Sequence, residues 1–497
     1  MQNQAKLKNI RVRIAPSPTG PLHIGTARSA LFNYLFAKKN GGKFILRVED
    51  TDLERSEPKW EKEIIKYLKW LGIEYDEGPD KAGEYGPYRQ SERIPTYRQY
   101  LEKLLKKNNA YYCFCTEKEL ADERLLQKTL GKPPSYSGKC RDLSPDQIKK
   151  LEQTGRKPVI RFRVPDQKIK FQDLIRGELE FDCGLLGDFV IAKGLSIPLY
   201  NFAVVIDDYL MRISHVIRGE DHIANTPKQI LMQEALGFPR PEYAHLPLIL
   251  NPDRSKMSKR KAMENGGVAI PVTVREFKKM GYLPEALVNY MVFLGWNPKD
   301  NREIFTLSEL VQAFSLEKVH KGGAVFNLDK FNNINGYYLR QMKIGDLVKM
   351  IAKGGFLKYD LKNYTPDYIA TALFTVQERL KKLDEVQELT RFYFQKPDYN
   401  PELLIWKNAP IAKIKKNLEI GERALALLKN QDYTKEFLEK TLRQTISDYK
   451  MDVGGLLWPL RAALTGVQAS PSPFEVAEVL GREEVLERIK TAIKKLK

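Results

Sequence analysis

The chain is poor in the features that mark several protein classes. Four cysteines in 497 residues are too few for a disulfide scaffold. No apolar run approaches the roughly 20 residues that a membrane-spanning helix requires. The first residues, Met1 to Asn9, are polar and hold no apolar stretch of the kind a secretory signal carries. Reduced thiols in a cytoplasmic protein, with no membrane partner, are therefore expected. His215, His222, His245 and His320 have no mutual spacing that suggests a metal site or a catalytic triad, which reads them as structural or supporting residues. No Walker-type phosphate loop is present. Acidic residues are also in deficit: 63 against 82 Lys and Arg leave a net charge of +19, an excess suited to a polyanionic partner. The length itself calls for several domains.

Two distant segments carry the chemistry. The first, Ala15-Pro-Ser-Pro-Thr-Gly-Pro-Leu-His-Ile-Gly-Thr-Ala27, lies between an alternating strand from Ile10 to Ala15 and apolar residues at helical spacing, Ile24, Ala27, Leu31 and Leu35. His23 and Gly25 then fall at a helix N-terminus, where unpaired N–H groups and the positive end of the helix dipole favour phosphate. Pro16, Pro18, Gly20 and Pro21 set an abrupt turn, and Gly25 leaves room for a ligand against the backbone. The second, Asn251 to Lys261, follows the apolar run Leu246–Leu250 and packs Arg254, Lys256, Lys259, Arg260 and Lys261 together with Ser255 and Ser258. Either segment alone reads as a rigid turn or a solvated basic loop. Together they supply oriented donors and mobile positive charge for a triphosphate, with the loop closing on departing pyrophosphate.

Punctuation sets the organisation. Phe44–Val48 reads as a strand, and Trp60, Ile64, Leu68 and Leu71 as a helix stopped by Gly72. The pattern resumes with a strand over Met211–Ile217, a helix over Thr226–Leu236 and a strand over His245–Leu250, which predicts an α/β parallel sheet. Between the halves, from about Ile94 to Leu199, lies an insertion with strand-like stretches such as Val159–Val164 and a cysteine group. Cys113 and Cys115 stand one residue apart and Cys140 follows a polar helical stretch, so three thiolates approach the set a structural zinc needs; the alternative is buried free thiols. Cys183 reads as core. From about Lys343 onward the pattern is helical.

His23-Ile-Gly-Thr26 and Lys256-Met-Ser-Lys-Arg260 resemble the two signatures of class I aminoacyl-tRNA synthetases. With Ile14 to Asn33, Arg47-Val-Glu-Asp-Thr-Asp52, Gly86-Pro-Tyr-Arg-Gln-Ser-Glu-Arg93 and Ala462-Ala-Leu-Thr-Gly466, the chain resembles the bacterial glutamyl-tRNA synthetase family over nearly its whole length. Thr26 stands where the class often has a second His, and Thr is usual in this branch.

The resemblance implies a Rossmann-like catalytic domain over 1–95 and 200–262, with a connective insertion over 96–199 that holds the tRNA acceptor end. It further implies a stem-contact region over 263–343 and a helical anticodon-binding region over 344–497, divided near 402. It implies activation of L-glutamate with ATP and Mg²⁺ and transfer to tRNA(Glu), by a chain that acts as a monomer. His23, Gly25, Thr26, Lys256, Ser258 and Lys259 are the implied ATP residues, with His23, Lys256 and Lys259 catalytic. Arg13, Ala15, Ser17, Glu49, Tyr200 and Arg218 are the implied glutamate residues. A selective pocket needs cations for two carboxylates and an anion for the ammonium, and a guanidinium at Arg218 would match glutamate better than its amide. Glu49, Asp50 and Asp52 could instead cap the helix that follows. Zinc in such enzymes takes a fourth ligand that here would be Tyr136 or Asp142. Arg379, Arg461, Ser470 and Pro471 are the implied anticodon contacts, and Arg379 favours strict reading of glutamate anticodons. The alternatives are a glutaminyl-tRNA synthetase, a glutamyl enzyme that also charges tRNA(Gln), a small-molecule nucleotidyltransferase, and a catalytically silent RNA-binding relative.

Overall fold

The computed structural model describes residues 9–52, 54–133, 135–257 and 270–496. Two compact units are present, Met1–Lys278 with Pro284–Leu328, and Lys279–Leu283 with Asp329–Lys497. In the first unit, β1 (Arg11–Ile14) is buried at all four residues, as a parallel strand covered on both faces must be. It runs through a Pro-rich turn into α1 (Ile24–Lys39) and returns in parallel as β2 (Lys43–Leu46), Arg11 opposite Lys43 through Ile14 opposite Leu46. The next helix, α2 (Pro58–Trp70), ends where Gly72 takes a left-handed φ of +72° and the Gly72 and Ile73 amides return to Lys69 and Leu68. Neither Glu49, Asp50 nor Asp52 caps it. The N-cap position is Glu57.

The inserted segment contains α3 (Ile94–Lys106), β3 (Ala110–Cys113), α4 (Glu117–Thr129), α5 (Pro145–Gln153), β4 (Val159–Phe162), β5 (Lys168–Asp173), β6 (Gly177–Asp182) and β7 (Val190–Ala192). The strands β3, β4 and β7 form one antiparallel sheet. The β5–β6 hairpin joins the catalytic half: with α6 (Tyr200–Leu210), β8 (His215–Gly219), α7 (Thr226–Leu236) and β9 (Glu242–Leu246) in place, the strand order is β6-β5-β9-β8, with β8 parallel to β9 and β5 parallel to β9. One apolar core is shared across the two halves, Leu101, Phe162, Phe202, Val205, Ile230 and Leu231 among its members. β8 starts at His215 and not at Met211, because Met211 caps α6 and Arg212 turns the chain with φ +53°. The Ser214 amide then donates to the Arg11 carbonyl at 2.9 Å, which sets β8 beside β1.

The second unit is helical, with Ile411–Ala426, Lys435–Asp448, Val453–Thr465 and Pro473–Lys495 packed around Leu418, Leu442, Leu460, Val485 and Ile489. Its helices are bounded by local chemistry: Ser472 and Glu475 form a reciprocal capping box that starts the last helix, and Gly466 closes the one before it with φ +68°.

Candidate active site

A cleft of about 1220 Å³ opens where β1, β2 and β8 end, the usual place for a ligand in an open α/β sheet. Arg13, Ala15, Ser17, His23, Gly25, Thr26, Glu49, Tyr200, Arg218 and Lys256 all line it. The early turn and the later basic segment, more than 200 residues apart in the chain, therefore face one space. Ser258 and Lys259 lie outside the described residues.

His23 is the N-cap of α1, and its Nδ1 accepts the Gly25 amide at 3.0 Å. An imidazole that accepts at Nδ1 carries its proton on Nε2, so the ring offers one donor edge. A Cβ on residue 25 would stand 3.3 Å from that Nδ1 and crowd the capping ring. The turn is held against a later segment, the Ile24 amide donating to Val272 O and the Val274 amide to Leu22 O. The basic segment is a hairpin: β10 (Ile249–Leu250) bridges to Lys256, the Asn251 amide reaches Ser255 O, and Arg254 turns with φ +63°. Lys256 Nζ lies 3.1 Å from Asp221 Oδ2, both partly exposed. Such a pair is worth little and separates readily when a stronger anion arrives.

Charge beneath the cleft is buried and paired. Asp208 takes Arg13 Nε and Nη2 at 3.1 Å each and Arg47 Nη1 at 2.7 Å. Arg47 Nη2 reaches Glu49 at 3.1 Å. Asp207 takes Arg93, Gln90 and the Tyr97 hydroxyl. Burial pushes the Glu49 carboxyl up, and the nearby Arg47 and Arg13 only partly draw it back. Sequence reasoning missed Asp207 and Asp208. The available signal was two adjacent carboxylates inside the otherwise apolar helix Tyr200–Leu210, since buried acids require partners. It also missed that Asp50 receives the Ser91 amide and hydroxyl at 2.8 and 2.6 Å, so the Arg47–Asp52 and Gly86–Arg93 segments dock on one another.

Tyr200 OH lies 3.1 Å from His222 Nδ1. Burial first, then the charge of Arg218, lowers His222 to about 4, so its ring is neutral. Arg218 is buried, with Nη2 on Thr226 Oγ1 at 2.8 Å and Nε on His245 Nε2 at 3.3 Å. Its Nη1 is buried with no hydrogen-bond partner among the described residues. A buried cationic donor left unmatched is costly, and an incoming carboxylate would relieve that cost.

Away from the cleft, the Cys113, Cys115 and Cys140 sulfurs lie within 4.8 Å of one another. Tyr136 OH is 3.4 Å from Cys113 Sγ and 3.6 Å from Cys115 Sγ. Asp142 points elsewhere, its side chain 81% exposed and paired with Arg163 at 2.9 Å. Cys183 is fully buried. In the helical unit Arg379 is exposed, and Arg461 spreads over the Trp458 ring at 4.6 Å while donating to Gln468 O. Burial and then the charge of Arg379 lower the Arg461 pKa, so these two cations share one neighbourhood. Ser470 and Pro471 are buried, and the Ser470 hydroxyl donates to the Pro471 carbonyl.

The fold and the cleft are those of a class I synthetase: a family described as tRNA synthetases class I (E and Q), catalytic domain, matches residues 9–333, and an anticodon binding domain matches residues 346–493. Among curated relatives, glutamate–tRNA ligase 1 of Caldicellulosiruptor saccharolyticus is 44% identical over 97% of this chain and 98% of its own. Glutamate–tRNA ligase of Carboxydothermus hydrogenoformans is 46% identical over 97% and 99%. The crystal structure of a glutamate tRNA ligase from Elizabethkingia meningosepticum, in complex with its amino acid, superposes with a TM-score of 0.87 at 35% identity, covering 99% of this chain and all of that one. The chain belongs to the glutamate–tRNA ligase family. Among the described residues no helix is long and apolar enough to cross a membrane.

Proposed function

We propose that the chain is a glutamate–tRNA ligase, activating L-glutamate with ATP and transferring it to the terminal ribose of tRNA(Glu). The observation that carries this reading is the shared cleft, with His23, Lys256 and Arg218 on its walls, Arg218 carrying a buried Nη1 that has no hydrogen-bond partner among the described residues. The glutamate α-carboxylate oxygen attacks the α-phosphorus of ATP, the bond to the bridging oxygen breaks, and pyrophosphate leaves. The 2′-hydroxyl of the tRNA then attacks the acyl carbon, and AMP leaves. No protein nucleophile is needed, so positioning and electrostatics carry the rate. Mg²⁺, which accompanies ATP in this class, supplies charge to the phosphates.

His23 offers its Nε2–H to the phosphates, while Gly25 and Thr26 let the ligand approach the backbone. Lys256, released from Asp221, meets the developing charge on pyrophosphate, a role extended to Lys259 with Ser258 beside it. Arg218 takes the side-chain carboxylate, Tyr200 borders the pocket, and Arg13 and Ser17 approach the substrate from the β1 side, with Ala15 leaving space. Glu49 answers the ammonium. Cys113, Cys115 and Cys140 would hold zinc, with Tyr136 favoured as fourth ligand because its oxygen lies among the sulfurs while Asp142 is turned away. Segment 96–199 is assigned to the acceptor end, 263–343 to the stem and 344–497 to the anticodon, which Arg379 and Arg461 are assigned to contact.

Pyrophosphate exchange with glutamate against glutamine, with and without total tRNA, tests the reading. Exchange dependent on glutamate supports it, and preference for glutamine overturns it. Lys256→Ala should lower adenylate formation by about 10²–10³-fold with little change in glutamate binding. Equal losses in both would remove Lys256 from its role. Charging of purified glutamate and glutamine tRNAs decides strictness, with tRNA(Glu) alone the expected acceptor.

A further inference from the structure

Arg218 is held from behind by a buried relay. On the far side of the imidazole that receives Arg218 Nε, His245 Nδ1 lies 2.6 Å from Asp173 Oδ2, and neither side chain has exposed surface. Asp173 cannot turn away, because its oxygens also receive the amides of Ile175 and Arg176 at 2.9 Å and of His245 at 3.1 Å. Burial alone would push the Asp173 carboxyl up, but the bonds from His245 and from these amides outweigh it and hold the group ionised.

A carboxylate only accepts, so the shared proton sits on His245 Nδ1, and Nε2 presents a lone pair to the Arg218 Nε–H. Burial is the largest influence on His245 and lowers its pKa; the Arg218 charge adds to that effect, and Asp173 opposes it without reversing it. The imidazole is therefore neutral. A second proton, on Nε2, would set two donors against each other beside a guanidinium. Thr226 Oγ1 completes the cradle, 2.8 Å from Arg218 Nη2 and 3.1 Å from His245 Nε2. With Nε and Nη2 both fixed, Nη1 is the nitrogen left over.

We infer that the Asp173–His245 pair is a positioning device for Arg218, fixing the guanidinium so that Nη1 is reserved for the side-chain carboxylate of the amino acid and thereby setting discrimination against the uncharged amide. This rests on the proposed role of Arg218. It also gives the inserted segment a part in amino-acid choice, since Asp173 ends β5 and sits opposite Tyr243 of β9.

The test is pyrophosphate exchange by the full chain in the presence of total tRNA, reading KM for glutamate, KM for ATP and the glutamate-to-glutamine preference. His245→Leu removes the acceptor and should raise the glutamate KM by about 10- to 100-fold, leave the ATP KM nearly unchanged and narrow the preference. His245→Gln, whose amide oxygen can stand where Nε2 stood, should recover most of the loss. His245→Asn can satisfy Asp173 but offers nothing to Arg218, so it should behave like the Leu variant and decides the matter if that variant does not fold. The inference is overturned if glutamate and ATP KM rise together, if the Gln variant is as impaired as the Asn variant, or if glutamate KM does not move. Arg218→Ala separates the two levels. If it spares glutamate KM, the assignment of Arg218 fails and the positioning role with it; if it abolishes glutamate use while His245→Asn leaves the glutamate KM unmoved, only the positioning role fails.

Discussion

The catalytic unit and the helical unit solve the same stability problem with different materials. Beneath the cleft, Arg13, Arg47, Arg93, Asp207 and Asp208 are all buried and form ion pairs with one another. In the helical unit the interior is made mainly of Leu, Ile, Val and Ala with Phe392, Tyr393, Tyr433 and Phe474, and ion pairs such as Arg443–Glu439 lie on the surface. Arg488 is an exception, buried with donors on the Phe392 and Leu464 carbonyls. Burying ion pairs is a poor route to stability, since desolvation offsets most of their attraction. Their concentration under the cleft therefore points to orientation of charge toward a substrate, while the helical unit needs only a rigid surface that carries cations.

The comparison breaks most readily at Asp208. Asp208→Ala leaves Arg13 and Arg47 without their shared carboxylate and should destabilise the catalytic unit by about 3–5 kcal/mol. Hydrogen exchange of peptides within 9–278 reads this directly, and unchanged protection would end the contrast. Leu442→Ala, a cavity in the apolar interior, should loosen peptides within 411–496 by about 3 kcal/mol, and a loss spread evenly over both units would show that they are not separate cores. Acid sharpens the comparison further. The Arg11 hydrogen bonds hold the Glu77 carboxyl below the usual carboxylate range against the opposing effect of burial. Its folded pKa is thus below its unfolded one, so its contribution is whole above about pH 4.3 and fades as pH falls through the lower folded value. Glu77→Gln should flatten the acid limb of catalytic-unit stability, measured by unfolding midpoints between about pH 5 and 2. Least of all, removing the exposed Arg443–Glu439 pair by Arg443→Ala should change stability by about 0.3–0.5 kcal/mol, and a larger loss would mean that surface charge matters more in this unit than its exposure implies.

Legibility in the sequence followed the range of the interaction. The strand–turn–helix around His23, the helix Thr226–Leu236 and the stop at Gly72 stand where local pattern predicts them, because caps, turns and periodicity act over a few residues. The strand expected from Met211 started late, because the end of α6 and the turn at Arg212 used the residues in between. Asp50 and Asp52 were open to reading as caps. In the fold Asp50 binds Ser91 and Asp52 pairs with Arg55, choices that local propensity cannot rank. His245 carried no signal at all, since its meaning depends on Asp173, 72 positions earlier.

By itself the chain's sequence determined the kinds of element, the residue types of its two signature segments, the surplus of positive charge and the helical character of its last third, all properties of composition and near-neighbour spacing. Only the tertiary structure decided which carboxylate holds which guanidinium, that His23 and Lys256 face a common cleft, and that Tyr136 and not Asp142 lies among the thiols. Those pairings join residues tens to hundreds of positions apart, and the free energy of burying a charge depends on what surrounds it in space, not on what precedes it in the chain.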